Sequence, residues 1–280
     1  MTSIFAVKNT PMPFAITYIA YALATTLYLV FFFSQNSRVR TMARRLLLVA
    51  GLLHCGTILG RYLAMGHTPL TTHHDTVSFF AWSCTWAFLS FRWRYRIKNF
   101  GTFVAVLIQL LLTVALLSSQ EIRVLPPALQ SVWLPIHAAV AIGANGFLAL
   151  GFCGGLMYLI QDRALKRKKF GLFYQRLPSL EGLDQLNTHC LSIGFPLLTL
   201  GIVTGSIWAK QAWGAYWQWD PKETWSLITW LLYAALLHQR LAIGWSGKRS
   251  AILTVIGFSA VLFTLWGVNF LLTGVHSYVR

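Results

Sequence analysis

Long apolar runs separated by short polar connections make up most of the chain, at 13–33, 46–64, 76–91, 100–118, 132–160, 190–209, 225–243 and 251–272. A helix rises about 1.5 Å per residue and the hydrocarbon layer of a bilayer is about 30 Å thick, so these runs suit membrane-crossing helices. The run at 76–91 is short and the one at 132–160 is long. The pattern predicts an all-α, polytopic membrane helical bundle of about eight transmembrane helices, read as a single membrane-embedded domain over 1–280. The first run lacks a basic leader and a small-residue cleavage site, so no cleavable signal peptide is expected. A stretch at 161–189, basic and containing Pro178, is polar enough for a small cytoplasmic subdomain.

Composition agrees: 56% of residues are hydrophobic and only 11% charged, yet the formal net charge is +16. That charge is unevenly placed. The connections after the first, third, fifth and seventh runs hold 17 of the 23 lysines and arginines. Basic connections stay on the cytoplasmic side, so the sequence predicts those four connections inside and both termini outside. The positive charge is thereby a topology signal. Nucleic-acid binding is not expected, because no soluble domain presents a basic face. Cys55, Cys84, Cys153 and Cys190 lie scattered in apolar segments without pairing motifs and read as small buried hydrophobes. No C-x-x-C-H, P-loop, H-E-x-x-H or G-x-S-x-G context occurs.

The densest chemistry is Trp213-Gly-Ala-Tyr-Trp217-Gln-Trp219-Asp220-Pro-Lys-Glu-Thr-Trp225, which fills the connection between the sixth and seventh runs. The predicted topology puts this segment, 210–224, outside. An interfacial belt needs one or two aromatic rings per helix end; four tryptophans here suggest a platform for a large, flat, apolar ligand. Asp220 before Pro221, with Glu223 three residues on, has the pattern of a capping box opening the seventh helix. Lys210 and Lys222 are candidate point-charge partners for an anionic group.

Histidines can be placed by depth. His137 precedes Arg163 by 26 residues, and His276 follows Arg249 by 27. Each is therefore about 40 Å of helix from its cytoplasmic anchor, at matching heights beside the aromatic segment. Two imidazoles so placed could ligate a haem iron, although either alone could be an interfacial polar residue. His238 lies at the inner end of the seventh run, where an ionisable group is functional or reaches the interface. A hydrogen bond to a neighbouring helix is expected of His54. A solvated loop is expected for His67, His73 and His74, with metal binding by the His-His-Asp run the lesser alternative. His189 is assigned no role.

The aromatic run resembles the WWD signature of haem-handling proteins in cytochrome c maturation, and its flanks are similar to the CcsA family of System II. Gly194-Phe-Pro-Leu-Leu-Thr-Leu-Gly-Ile-Val-Thr-Gly-Ser-Ile-Trp208 precedes it as in that group. Gly267-Val-Asn-Phe-Leu-Leu-Thr-Gly-Val-His-Ser-Tyr278 resembles the closing motif, and Leu129-Gln-Ser-Val-Trp-Leu-Pro-Ile-His137 the segment of the first external histidine. The likeness covers 66–280; the first two runs share only general character. It implies that His137 and His276 are external axial ligands of haem b, bound as substrate. It makes Trp213, Trp217, Trp219 and Asp220 the WWD core, with Trp225 beside it, and His238 the intramembrane histidine receiving haem on the cytoplasmic side.

The resemblance further implies a membrane partner of CcsB type, supplying a second intramembrane histidine, together with apocytochrome c and proteins of a thiol-reducing pathway. The expected location is a bacterial cytoplasmic membrane, with the haem-presenting site periplasmic. The expected role is haem transport and presentation to C-x-x-C-H segments, within a haem-attachment complex rather than as a conventional enzyme. Two rivals are CcmC-like delivery to a periplasmic haem chaperone and a haem-binding subunit of an electron-transfer complex. A plain transporter with interfacial tryptophans is a third.

Overall fold

The computed structural model describes residues 12–70, 72–91, 97, 99–119 and 130–271. Among these residues there are helices and no strand. In chain order they are α1 (Met12–Ser34), α2 (Ser37–Met65), α3 (His73–Phe91), α4 (Phe100–Leu117) and α5 (Trp133–Lys166). Then follow α6 (Leu172–Arg176), α7 (Leu180–Trp213), α8 (Pro221–Ala242), α9 (Lys248–Leu262), a π-helical turn (Phe263–Gly267) and α10 (Val268–Leu271). The first seven apolar runs each fall on one long helix, and the eighth, as far as it is described, is divided among α9, the π-helical turn and α10. Six of these, namely α1, α2, α4, α5, α7 and α9 with its π-helical turn, are long and apolar enough to cross a membrane by length and composition. The chain is a multi-pass membrane helical bundle. The 19-residue α3 and 22-residue α8 have the length but no equally apolar stretch.

Burial is inverted relative to a water-soluble bundle. Large apolar side chains such as Ile16, Ile19 and Leu23 on α1, and Leu48, Leu52 and Leu59 on α2, are exposed on the outside. Inside, Thr17, His54, Thr85 and Asn187 are buried. Lipid tails are as apolar as leucine, so helices gain little by hiding leucine and more by close packing and shared hydrogen bonds. The hydroxyls of Thr17 and Thr57 meet at 2.8 Å and those of Tyr21 and Thr85 at 3.0 Å. His54 follows its sequence reading: Nε2 bonds Ser78 Oγ at 2.8 Å, and Nδ1 faces the Tyr21 hydroxyl at 3.4 Å. Cys84, Cys153 and Cys190 are buried free thiols; Cys55 is partly buried and accepts the Trp82 indole N–H.

At the centre, α5 packs along α7 and also meets α3 and α9; α1 lies on α2 and α4, and α8 on α9. Both α5 and α7 have 34 residues, about 50 Å each, so they extend beyond the hydrocarbon layer. The expected subdomain at 161–189 is not seen. Helix α5 continues to Lys166, and α7 already begins at Leu180 because Ser179 Oγ caps it by accepting Gly182 N–H at 3.2 Å. The five-residue α6 is all that lies between. At this basic-loop end an ion pair joins α7 to α8, Arg240 to Asp184 at 2.5 Å. Arg240 also donates to Ser250 Oγ at 2.6 Å, and Asp184 accepts Gly247 N–H at 2.8 Å. Within α7, Pro196 removes the amide that would pair with the Ser192 carbonyl.

Candidate functional site

At the opposite end, where α5 begins and α7 ends, α3, α5, α7, α8 and the π-helical turn enclose a cavity of about 210 Å³. Most of its wall is apolar or aromatic, including Leu134, Ile142, Leu198, Trp208, Trp217 and Trp266. Polar groups also line it, among them His73, His137, Asn145, Lys222, Glu223 and Ser226. Apolar walls with few placed polar groups are the usual make-up of a small-molecule site.

His137 is fixed from two sides. Its Nδ1 lies 2.8 Å from the Gly201 carbonyl on α7. A carbonyl only accepts, so Nδ1 carries the proton and the neutral ring keeps its lone pair on Nε2. Metal-binding histidines commonly have their tautomer fixed by such a bond from the other ring nitrogen. The imidazole also stacks on Trp208, with planes 14° apart and centroids 6.0 Å apart. Gly205 makes this possible: a Cβ there would come within 2.7 Å of His137 Nδ1 and Cε1. Close approach of the helices matters equally at Gly201, where a Cβ would lie 3.2 Å from the Ala141 backbone.

The aromatic connection is held by polar bonds as well as by its rings. Gly214 ends α7 in a left-handed conformation, φ +84°. Ser206 Oγ then donates to the Tyr216 carbonyl at 2.9 Å, and the Lys210 ammonium to the Gly214 carbonyl at 2.8 Å, while lying over the Tyr216 ring. The predicted capping box at the start of α8 is present: Asp220 Oδ2 accepts Lys222 N–H at 3.1 Å, and Glu223 Oε2 accepts Asp220 N–H at 3.2 Å. Glu223 does more than the pattern indicates, since the same oxygen accepts Gln218 N–H at 2.8 Å. Two amides on either side of Trp219 thus point at one carboxylate, which requires the left-handed φ of +58° at Trp219. That conformation is unfavourable for a bulky residue and is sustained by the bonds around it.

The eight residues singled out in the sequence scatter over this arrangement. His137 and Trp217 line the cavity. Trp217 has a buried indole N–H with no hydrogen-bond partner among the described residues. Trp213 stands edge-on to Trp208, centroids 4.8 Å apart. Trp219 stands edge-on to Trp217 and is 69% exposed. Asp220 is buried as the cap. Trp225 packs behind the site on Phe263, centroids 4.2 Å apart, and its carbonyl accepts the Thr229 and Thr264 hydroxyls. His238 is exposed on α8 at the other end of the bundle. His276 lies outside the described residues.

Two further groups of the wall, His73 and Lys222, stand outside those eight. His73, expected in a solvated loop, opens α3, lines the cavity and meets Trp266 edge-on at 6.4 Å. Burial pushes its imidazole below the ordinary histidine value. The neighbouring His74 is fully buried, its Nδ1–H donated to the Ala115 carbonyl at 2.8 Å, whereas His67 bonds the Thr68 carbonyl. Lys222 is half-buried in the first turn of α8. Burial pushes its ammonium down from the ordinary lysine value, while Asp220 acts the other way. Among the described residues it forms no ion pair. A cation in a first helical turn also opposes the helix dipole, so Lys222 suits a bound anion better than it suits the helix.

Residues 70–276 match a family described as Cytochrome C assembly protein. This chain belongs to that family. Named relatives agree: it is 37% identical to the cytochrome c biogenesis protein CcsA of Chlamydomonas reinhardtii, over 87% of this chain and 70% of that protein. The CcsA proteins of Porphyra purpurea and Synechococcus sp. (strain CC9605) are 34% and 35% identical, each over 88% of this chain and about nine-tenths of their own length. A solved structure titled Cytochrome c Heme Lyase CcmF shares the fold, with a TM-score of 0.67 and 18% identity over 95% of this chain. This chain spans 47% of that longer protein. Membership carries the coarse role, a membrane protein of cytochrome c maturation.

Proposed function

We propose that this chain carries haem b, as substrate, to the aromatic end of the bundle and presents it there to apocytochrome c, with a membrane partner of CcsB type. In this reading all eight long helices cross a bacterial cytoplasmic membrane, the basic loops lie inside, and both termini and the aromatic cavity face the periplasm. The observation that carries the proposal is His137, its Nδ1–H tied to Gly201 and its ring stacked on Trp208 at the wall of an apolar cavity. That leaves Nε2 to ligate iron, with His276 as the opposite ligand. Trp208 and Trp217 supply flat apolar surface, and Lys222 a charge for a propionate.

Attachment then needs orientation more than acid–base catalysis. Each cysteine thiol of a C-x-x-C-H segment adds across one haem vinyl group: a sulfur–carbon bond forms, and the thiol proton ends on the other vinyl carbon. Nothing is oxidised or reduced, provided that a thiol-reducing pathway delivers free cysteines. Fixing the porphyrin with its vinyl edge open raises the effective concentration of thiol and vinyl, an effect that can reach several kcal/mol. His238, exposed at the basic-loop end, suits an inner site completed by a histidine of the partner.

The test is the absorption spectrum of the full chain, purified with and without its partner from a haem-replete host. Wild type should show six-coordinate haem; His137→Ala and His276→Ala should hold it loosely and recover with imidazole, and His238→Ala should be depleted. Equal haem content in all four proteins would refute the proposal.

A further inference from the structure

A second cavity, of about 410 Å³, lies at the basic-loop end and has no part in the function proposed above. Its walls are the last turns of α5 and the segment into α6, including Ile160, Arg163, Arg167, Lys169, Leu172 and Phe173. Arg163 lies in the last turn of α5, and Arg167 caps that helix four residues on, its amide bonded to the Arg163 carbonyl. Beyond α5, Lys168 turns the chain through a left-handed conformation, φ +51°. The amides of Arg167, Lys168 and Lys169 donate back to the carbonyls of Arg163, Leu165 and Ala164. This fold-back sets Lys169 beside the two arginines.

No carboxylate lines the cavity. Among the described residues none of the three cations forms an ion pair, and the adjacent Asp162 is bonded to Lys166 at 2.9 Å. Three like charges around one concavity repel each other, and an anion held between them offsets that repulsion. The other half of the feature is apolar. Phe170, Leu172 and Phe173 are 51%, 47% and 56% exposed, directly beside the cations. Aromatic and aliphatic side chains next to basic ones are suited to the level where acyl chains meet headgroups.

We infer that this cavity binds the headgroup of an anionic phospholipid, its phosphate oxygens among Arg163, Arg167 and Lys169 and its acyl chains against Ile160, Leu172 and Phe173. Guanidinium and ammonium groups both hold phosphate oxygens through charge-assisted hydrogen bonds. Free phosphate could use only the charged half of the site. A lipid uses both, which is why the lipid is the occupant assigned.

The experiment titrates the full chain, in neutral detergent, with phosphatidylglycerol, with phosphatidylcholine and with inorganic phosphate in separate arms, counting bound lipid by native mass spectrometry. Phosphatidylglycerol should bind in preference to phosphatidylcholine and should resist displacement by phosphate. R163Q/R167Q should weaken it about thirty-fold, two surface cations being removed. R163K/R167K keeps the charges and should retain most of the binding, which separates lost charge from lost fold. Phe173→Ser should weaken lipid binding with all three cations in place. Equal phosphatidylglycerol retention by wild type and R163Q/R167Q would overturn the inference, as would full displacement by phosphate or a lysine variant as weak as the glutamine one.

Discussion

His137 and Gly201 sit on different helices, α5 and α7, and are joined by one hydrogen bond of 2.8 Å from the imidazole Nδ1–H to the backbone carbonyl. The acceptor is main chain, so no side-chain truncation removes it. The ring can be displaced by filling the space it occupies. Gly205→Ala does this, because the added methyl would lie 2.7 Å from Nδ1 and Cε1. Loss of such an orienting bond costs about ten- to a hundred-fold in metal affinity. Purified Gly205→Ala should fold and reach the membrane, yet lose haem on dilution at least ten times faster than wild type. Unchanged release would mean that the ring position does not matter.

Lys222 should discriminate charged from neutral porphyrin. Lys222→Ala is expected to weaken haem retention about ten-fold or more, the usual scale for losing a charge-assisted bond. It should leave the dimethyl ester of haem unaffected. A variant that weakened both equally would make Lys222 a packing residue.

The same lysine sets a pH dependence. Burial lowers its pKa, so the charged form is disfavoured in the empty protein. As pH rises through the depressed value, that cost to the empty protein lifts and the attraction for a propionate disappears. Both changes act against retention. Haem loss should therefore set in below the pH at which an ordinary lysine titrates, and Lys222→Arg, charged throughout, should abolish the transition. Identical profiles for wild type and Lys222→Arg would contradict this.

Asp220 and Glu223 can be separated from the haem chemistry by stability. Asn is as good an N-cap as Asp, whereas Ala costs about 1 kcal/mol. Thermal unfolding in detergent should rank Asp220→Asn close to wild type, Asp220→Ala lower, and Glu223→Ala lowest, since Glu223 holds both Gln218 and Asp220 amides. If Asp220→Asn proved as unstable as Asp220→Ala, the aspartate would be acting through its charge.

His54 provides a control. Its two ring nitrogens face Ser78 and Tyr21 inside the bundle, so His54→Leu should lower stability by about 1–3 kcal/mol for the polar groups left unpaired. Haem bound per folded molecule should stay at the wild-type level. A haem-free but stable His54→Leu protein would assign this histidine a role that the geometry does not support.

Legibility in the sequence followed distance along the chain. The long helices were readable because each is one uninterrupted apolar run, and the capping box because Asp220 and Glu223 are three residues apart. His137 was readable through helix depth and through resemblance. Trp208 as its stacking partner and Gly205 as the space for its ring were not, since both depend on how α5 meets α7. His73 looked solvated because its neighbours are polar; only the packing of α3 beside α5 turns it towards the cavity. The π-helical turn at Phe263–Gly267, which sets Thr264, Leu265 and Trp266 in the wall, has no periodic signal in so short a segment. At 161–189 a basic stretch suggested a subdomain because α5 and α7 carry charge beyond the apolar runs that mark them.

Pro196 gives α7 an uneven mechanical character. The half before it is riveted to α8 and α9 through Asp184 and Arg240, and the half after it carries Gly201, Gly205 and Trp208 to the cavity. One rung of the helical ladder is absent between them. Bending therefore costs least at that joint, so the aromatic end can yield to a bulky ligand without loosening the rivet at the other end.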